Sequence, residues 1–366
     1  GNPVEGSVVT FTTAKGTLQP KQAITDSAGL ARTQITSLSS GPASVNATSD
    51  TDKKGQTRTL TFSADNATAR VVSLIPDSKT SIADGKQSIM LTAVLKDANG
   101  NLVPDTPITF TSNSGVLSGG SIKTNSQGVA SVALTSVTAT AITVHATSDS
   151  DPQGQQANVM FNPDASTAKL SALTADRPTA LADGKSAIAF TAIVADAHNN
   201  PVPDISVSFS TSKGTLTATS SMTNARGEAR IELSSLQSGQ ANVSATTVQD
   251  TAGISINVNF NADAATAKIV SLTADRPAAT ANGKEQVIIS AMLEDINGNP
   301  VPGIAVSLAT TLGNLSAGSA LTNPAGVAQV TLNSTLMGKA VVSATSPMDS
   351  TGKQREVLFN ADVTTA

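Results

Sequence analysis

Phe62-Ser63-Ala64-Asp65 returns as Phe161-Asn162-Pro163-Asp164, as Phe260-Asn261-Ala262-Asp263 and as Phe359-Asn360-Ala361-Asp362, always 99 residues on. Gly29, Gly128, Gly227 and Gly326 keep that spacing, as do Val45, Val144, Val243 and Val342. No insertion or deletion breaks the register, so one domain-sized unit recurs along the chain. A unit of 99 residues exceeds the roughly 20–50 residues of a solenoid repeat and fits an immunoglobulin-like sandwich of about 100 residues. Cutting after each phrase gives complete units at 66–164, 165–263 and 264–362, with residues 363–366 reading as the start of a further unit or a tail. Residues 1–65 match only the later two-thirds of a unit. They read as a partial domain without its first strands, whose apolar face needs sequence further upstream.

Working outward, the apolar period within each unit is two, which signals half-buried strands. Ile89, Leu91, Ala93 and Leu95 share one face. Ile188, Phe190, Ala192, Val194 and Val287, Ile289, Ala291, Leu293 repeat it. A second strand turns Ala130, Val132 and Leu134 inward and Ser131 outward; Arg230 and Gln329 take the outward place in later units. Ile142, Val144 and Ala146 form a third apolar face, and Val159 and Phe161 end the unit.

Turn residues punctuate these strands. Asn125/Gly128, Asn224/Gly227 and Asn323/Gly326 read as type I turns, and so do Asp97/Gly100 and Asp295/Gly298. Asp196-Ala-His-Asn199 takes the same place in its unit. Asp52/Gly55, Asp151/Gly154, Asp250/Gly253 and Asp349/Gly352 read as a further set of reversals, and Asp84-Gly85-Lys86, with its repeats, as a tight turn before a strand. Pro76, Pro104, Pro178, Pro203, Pro277 and Pro302 fall at strand ends, where a missing N–H costs no ladder bond. The expectation is an all-β chain of tandem immunoglobulin-like sandwiches, arranged end to end as a rod. Only eight residues separate Phe161 from Leu170, and such junctions are not Gly/Ser-rich flexible linkers. Strands of about 10 residues give roughly 40 Å per domain.

Composition narrows the chemistry. The 366 residues include no Cys, Trp or Tyr and eight Phe, so the core must be built from Val, Ile, Leu, Ala and Phe without a disulfide. Charged residues make up 14% and the net charge is −4, with no basic patch for nucleic acid and no apolar run long enough to span a bilayer as a helix. His145 and His198 are the only histidines. One falls on an outward strand position and the other in a turn, so neither reads as a general base. Asp295-Ile-Asn297-Gly-Asn299 opens like a calcium loop, but Pro300 stands at the sixth position and Val306 at the twelfth, where Gly and Glu are needed. Asp65, Asp77, Asp164, Asp176, Asp263 and Asp275 lie near junctions and read as turn formers and solubilising charges, with interdomain cation sites as the alternative. No catalytic, cofactor-binding or metal-ligating residue and no cofactor is expected, and the chain does not read as an enzyme.

The order Ala83-Asp-Gly-Lys86, Asp97-Ala-Asn-Gly-Asn101-Leu-Val-Pro104, Phe110-Thr-Ser112, Gly115-Val-Leu117, Thr124-Asn-Ser-Gln-Gly128-Val-Ala130, Val144-His-Ala-Thr147 resembles bacterial immunoglobulin-like domains of group 1 (Big-1). The resemblance recurs unit by unit over the whole chain. Such domains are stacked in intimins, invasins and related inverse autotransporters. The resemblance therefore implies the extracellular passenger of a bacterial outer-membrane adhesin, anchored by a β-barrel outside this sequence. It implies host-cell surface or extracellular-matrix proteins as partners, a monomeric stretch of chain, and attachment to host cells or matrix as the function. The alternatives are a passive stalk presenting a distal tip and an accessory module of a secreted enzyme. Intimin and invasin end in a lectin-like cap that binds the host receptor. No such cap is present in this sequence, so no receptor-binding residue is carried over.

Overall fold

The computed structural model describes residues 1–361. Asp362 and the expected start of a further unit at 363–366 lie outside the described residues. The chain divides into two compact units, one from Gly1 to Asp164 and one from Ala165 onward.

In the first unit, the residues from Arg70 to Asn162 form two facing sheets. One is ordered Val116–Leu117, Val129–Thr135, Ser88–Lys96, Arg70–Pro76. The other is ordered Ser121–Lys123, Pro107–Ser112, Ala141–Ser148, Asp151–Asn162, Thr80–Ile82. All pairings are antiparallel except Thr80–Ile82, which runs parallel to Asp151–Asn162. Register follows the apolar alternation, because a slip of one residue would turn every inward side chain to water. Ala130, Val132 and Leu134 sit opposite Ala93, Leu91 and Ile89, and all six are buried. On the outer face of the same pair, the Thr92 and Ser131 hydroxyls lie 3.1 Å apart. Phe110 and Phe161 fill the space between the sheets.

The second unit contains two sandwiches of the same design. Their cores gather around Phe190, Phe209 and Phe260, and around Leu308 and Phe359. The register also repeats, with Ile231 opposite Phe190 and Val330 opposite Ile289. Residues 1–65 hold one four-stranded sheet, ordered Gln22–Ile24, Val8–Thr13, Gly41–Ser49, Gln56–Phe62, and a short ribbon of Thr17–Gln19 with Gln34–Thr36. The seven-residue strand Val129–Thr135 has only the three-residue Gln34–Thr36 as its counterpart, because no strand equivalent to Ser88–Lys96 stands beside it. Ile35 is accordingly half-buried where Leu134 is fully buried.

Two features differ from the sequence reading. The Asp-x-x-Gly phrases are not all reversals. Ser148 pairs with Asp151, so the chain turns at Asp149-Ser150, and Asp151–Gly154 lies within the last strand. The Asp151 carboxylate is instead an acceptor that joins the sheets, with Oδ2 taking the Val71 N–H at 3.0 Å and Oδ1 the Gly154 N–H at 3.3 Å. Asp250 does the same for Leu170, and Asp349 for Ile269. Short polar side chains compete in this way with backbone pairing, and sequence alone does not separate the two uses. The Asp349 carboxyl is held below the usual range chiefly by the Gly352 and Ile269 N–H groups. The second difference is a short 3₁₀ turn opening each repeat, at Asn66–Thr68, Ala165–Thr167 and Ala264–Thr266. Asp65 and Asp263 cap the first and last of these through the N–H groups of Ala67 and Ala265.

Gly100 and Gly154 both have positive φ, but their surroundings differ. A Cβ on Gly100 meets nothing within 4 Å, whereas one on Gly154 would lie 1.9 Å from the Ala146 carbonyl oxygen. Gly100→Ala should therefore cost only the left-handed backbone penalty, about 1–2 kcal/mol. Gly154→Ala should cost clearly more, because the backbone must move away from Ala146, where the pairing of the last two strands shifts register. Chemical denaturation of the two variants measures the difference.

Candidate functional site: the interdomain docking turn

Asp97-Ala98-Asn99-Gly100-Asn101 closes as a turn, with Gly100 N–H donating to Asp97 O and Asp97 N–H to Asn101 O, both at 2.9 Å. This much the turn residues dictate. The side chains extend it further. Asp97 Oδ1 accepts the N–H groups of Asn99 and Asn101 at 2.9 and 2.8 Å. Its Oδ2 accepts the Asn101 carboxamide at 2.8 Å and the N–H of Asp65, in the connecting segment, at 3.1 Å. Thus oriented, Asn101 reaches the preceding domain: Nδ2 donates to Leu38 O and Oδ1 accepts from Ser40 N–H, each at 2.9 Å.

The same arrangement recurs within the second unit. Asp295 Oδ1 accepts from the N–H groups of Asn297 and Asn299, and Oδ2 from Asp263 N–H and the Asn299 carboxamide. Asn299 then donates to Leu236 O at 2.9 Å and accepts from Ser238 N–H at 2.7 Å. Asn297 adds a bond to Ala182 O at 2.9 Å. Inside the remaining turn, the Asp196 carboxylate accepts from the N–H groups of His198 and Asn200 and from the Asn200 carboxamide.

Asp97 and Asp295 are 6% and 5% exposed. Burial works against their charged forms, but the donated hydrogen bonds outweigh it. The Asn101 side chain with the N–H groups of Asp65, Asn101 and Asn99 holds the Asp97 carboxyl below the usual range, and the equivalent donors do so at Asp295. A buried carboxylate saturated by donors from its own turn, from the connecting segment and from an asparagine that grips the preceding loop fixes one domain on the next.

The sequence reading took Asp97 and Asp295 as turn formers, weighed Asp295 to Asn299 as the opening of a calcium loop, and gave Asn101, Asn200 and Asn299 no role in docking. The signal lay in their spacing of 99 beside varying neighbours. His145 is exposed on its strand near Thr111 and Gln156, and His198 is exposed in the third turn. Among the described residues no three His, Cys, Asp or Glu side chains converge as metal ligands. Asp77, Asp176 and Asp275 accept the N–H groups of Met90, Ala189 and Ile288, so each carboxylate completes a local hydrogen-bond pattern.

The model of the bacterial Ig-like domain (group 1) matches residues 1–63, 71–162, 170–261 and 269–360. The chain belongs to this family. Over its full length this Big-1 array is 29% identical, across 382 residues, to the inverse autotransporter adhesin YeeJ of Escherichia coli (strain K12), and spans 16% of that protein. Over 47% of its length it is 39% identical, across 177 residues, to intimin of Escherichia coli O127:H6, and spans 18% of it. In fold it is similar to the Escherichia coli adhesin FdeC, with a TM-score of 0.50 and 20% identity over 83% of this chain and 99% of that one.

Asn299→Ala should loosen the junction by about 1–3 kcal/mol, the cost of leaving buried partners unpaired. Asn299→Asp should be worse, since it sets a second carboxylate against Asp295 and the Leu236 carbonyl. Amide hydrogen exchange at Leu236–Ser238 reads both. Acid should act on the same bonds. Because the native pKa is lowered, the contribution of Asp97 and Asp295 is complete above the ordinary aspartate value of about 3.9 and is lost as pH falls through the lowered value. NMR titration of the two carboxyl carbons, followed together with the Ser40 and Ser238 amides, should show the paired signals changing at one pH.

Proposed function

We propose that this chain is part of the extracellular passenger of a bacterial outer-membrane adhesin that attaches the cell to host cells or extracellular matrix, and that these repeats serve as its spacer. The observation that carries the reading is the doubled docking turn. Asn101 and Asn299 make the same two hydrogen bonds to the preceding loop, under the same saturated carboxylate. Fixing successive domains on one another is what a spacer requires, and the site holds no reactive group. Support also comes from the similarity to YeeJ, which is named as an inverse autotransporter adhesin. On this reading the anchor in the outer membrane belongs to the rest of the protein, the partners are surface or matrix proteins of the host, and the repeats themselves are not enzymatic.

The test is binding of the purified chain to epithelial cells and to a panel of matrix proteins at physiological salt, beside an unrelated sandwich array of equal mass. The expected result is binding no higher than the control, while removal of one 99-residue repeat from the whole protein weakens adhesion. Saturable binding of the isolated chain would make the repeats themselves the adhesive surface and overturn the spacer role.

A further inference from the structure

The loop that receives each docking asparagine is braced from behind by a lysine. In the first domain the Lys15 ammonium donates to Ser40 O, and in the third the Lys213 ammonium donates to Ser238 O at 2.5 Å. Ser40 and Ser238 are the residues whose N–H groups meet Asn101 and Asn299. A hydroxyl turn positions each lysine: Thr13 Oγ1 donates to Lys15 O at 2.8 Å, and Thr211 Oγ1 to Lys213 O at 2.7 Å. The other end of the loop is tied in the same style, with Ser37 donating to Ser39 O and Ser235 to Gln237 O. Both lysines are half-buried, and among the described residues neither has a carboxylate within ion-pair distance. Their charge is directed at a carbonyl, where a charge-assisted bond is stronger than a neutral one.

A glycine with a left-handed backbone lies beneath each approach. Gly41 and Gly239 have φ of 107° and 110°, and a Cβ there would lie 3.0 Å from the Lys15 ammonium and 2.7 Å from that of Lys213. The residue at the lysine position and the one beneath it vary together in size along the chain. Where Lys15 and Lys213 face Gly41 and Gly239, the second repeat has Ser114 with Thr140. The fourth has Leu312, whose Cδ2 would lie 3.3 Å from a Cβ on Gly338. A long side chain therefore goes with glycine and a short one with threonine.

We propose that Lys15 and Lys213 are positioning residues of the interdomain junction: each ammonium, passing over a glycine, holds the receiving loop in the shape that accepts the next domain's asparagine. They thereby set how tightly that domain docks. The inference rests on the spacer reading and names the side chains that tune it.

The experiment uses the full chain, which contains no cysteine, so Ser206→Cys and Ser307→Cys place one spin label on either side of the junction between the third and fourth domains. Pulsed dipolar spectroscopy gives the distance distribution between them. Lys213→Ala should raise the undocked, broadly distributed fraction about tenfold, as expected for loss of a charge-assisted hydrogen bond. Lys213→Arg, which keeps the cation, should preserve most of the narrow component. Thermal unfolding of the third domain should stay close to that of the parent, a result that a purely structural lysine would not give. An unchanged distribution in Lys213→Ala overturns the proposal. If that variant does not fold, NMR of the lysine ammonium groups in the unaltered chain decides: slow proton exchange at Lys15 and Lys213 supports the brace, and exchange like that of the exposed lysines overturns it. Cell binding by the isolated chain would sink the spacer role without touching these distances, and an unchanged distribution would sink the brace without touching the spacer role.

Discussion

A buried carboxylate must be either neutral or saturated with donors, and Asp97 and Asp295 are saturated. Removing such a charge from water costs several kcal/mol unless its lone pairs are matched. Here the matching donors come from chain segments that are otherwise independent. Two are N–H groups of the turn itself, one belongs to the connecting segment, and one is the carboxamide that grips the preceding domain. Loosening any segment exposes the charge to incomplete solvation, so turn, connector and preceding loop are stabilised together. The junction is thereby ordered by polar contacts that need no large apolar interface.

This economy suits a chain without cysteine, tryptophan or tyrosine. Each sandwich core is made of aliphatic residues around one to three phenylalanines, and alanines fill the closest approaches between strands, as at Ala93 opposite Ala130. Such a core secures the two sheets face to face. Asp151 and Asp349, at the start of the last strand, and Asp250, just before it, then each hold the first strand of their sandwich by one carboxylate–amide bond. Aspartate thus serves within the domain as well as between domains. In each place it is stable because backbone N–H groups, rather than lysine or arginine, provide most of the compensation.

The strands and their inward faces were legible in the sequence because burial there follows a period of two that the residue types display directly. Ile89, Leu91, Ala93 and Leu95 face the core as their alternation requires. The Asn125/Gly128 reversal was equally plain, since its Asn side chain bonds only to residues two and four positions on. Asp151 was misread because its decisive partner, Val71, lies 80 residues away. The docking turn shows the same division. Its closure is local and readable, whereas the bonds from Asn101 and Asn299 to the preceding domain span 61 and 63 residues. Residue type announces that an aspartate or asparagine will find a partner; only the packing of two domains says which.

That long-range geometry also gives the invariant repeat length a physical reason. A sandwich core tolerates longer surface loops, since loop-closure entropy rises only slowly with length, so core packing by itself does not forbid insertions. The junction is less permissive. The receiving loop and the next docking turn are bonded at a separation of 61 residues at both junctions, through groups placed within about 3 Å. Between those two points run the last strands of one domain, the connector and the first strands of the next. A residue added to the connector or to a strand would shift the asparagine relative to the loop by about 3.3 Å, enough to break every bond it makes. Variation is accordingly found where side chains face water, as with Ser131, Arg230 and Gln329, and in the paired exchange of lysine and glycine for serine and threonine, while the count of residues stays at 99.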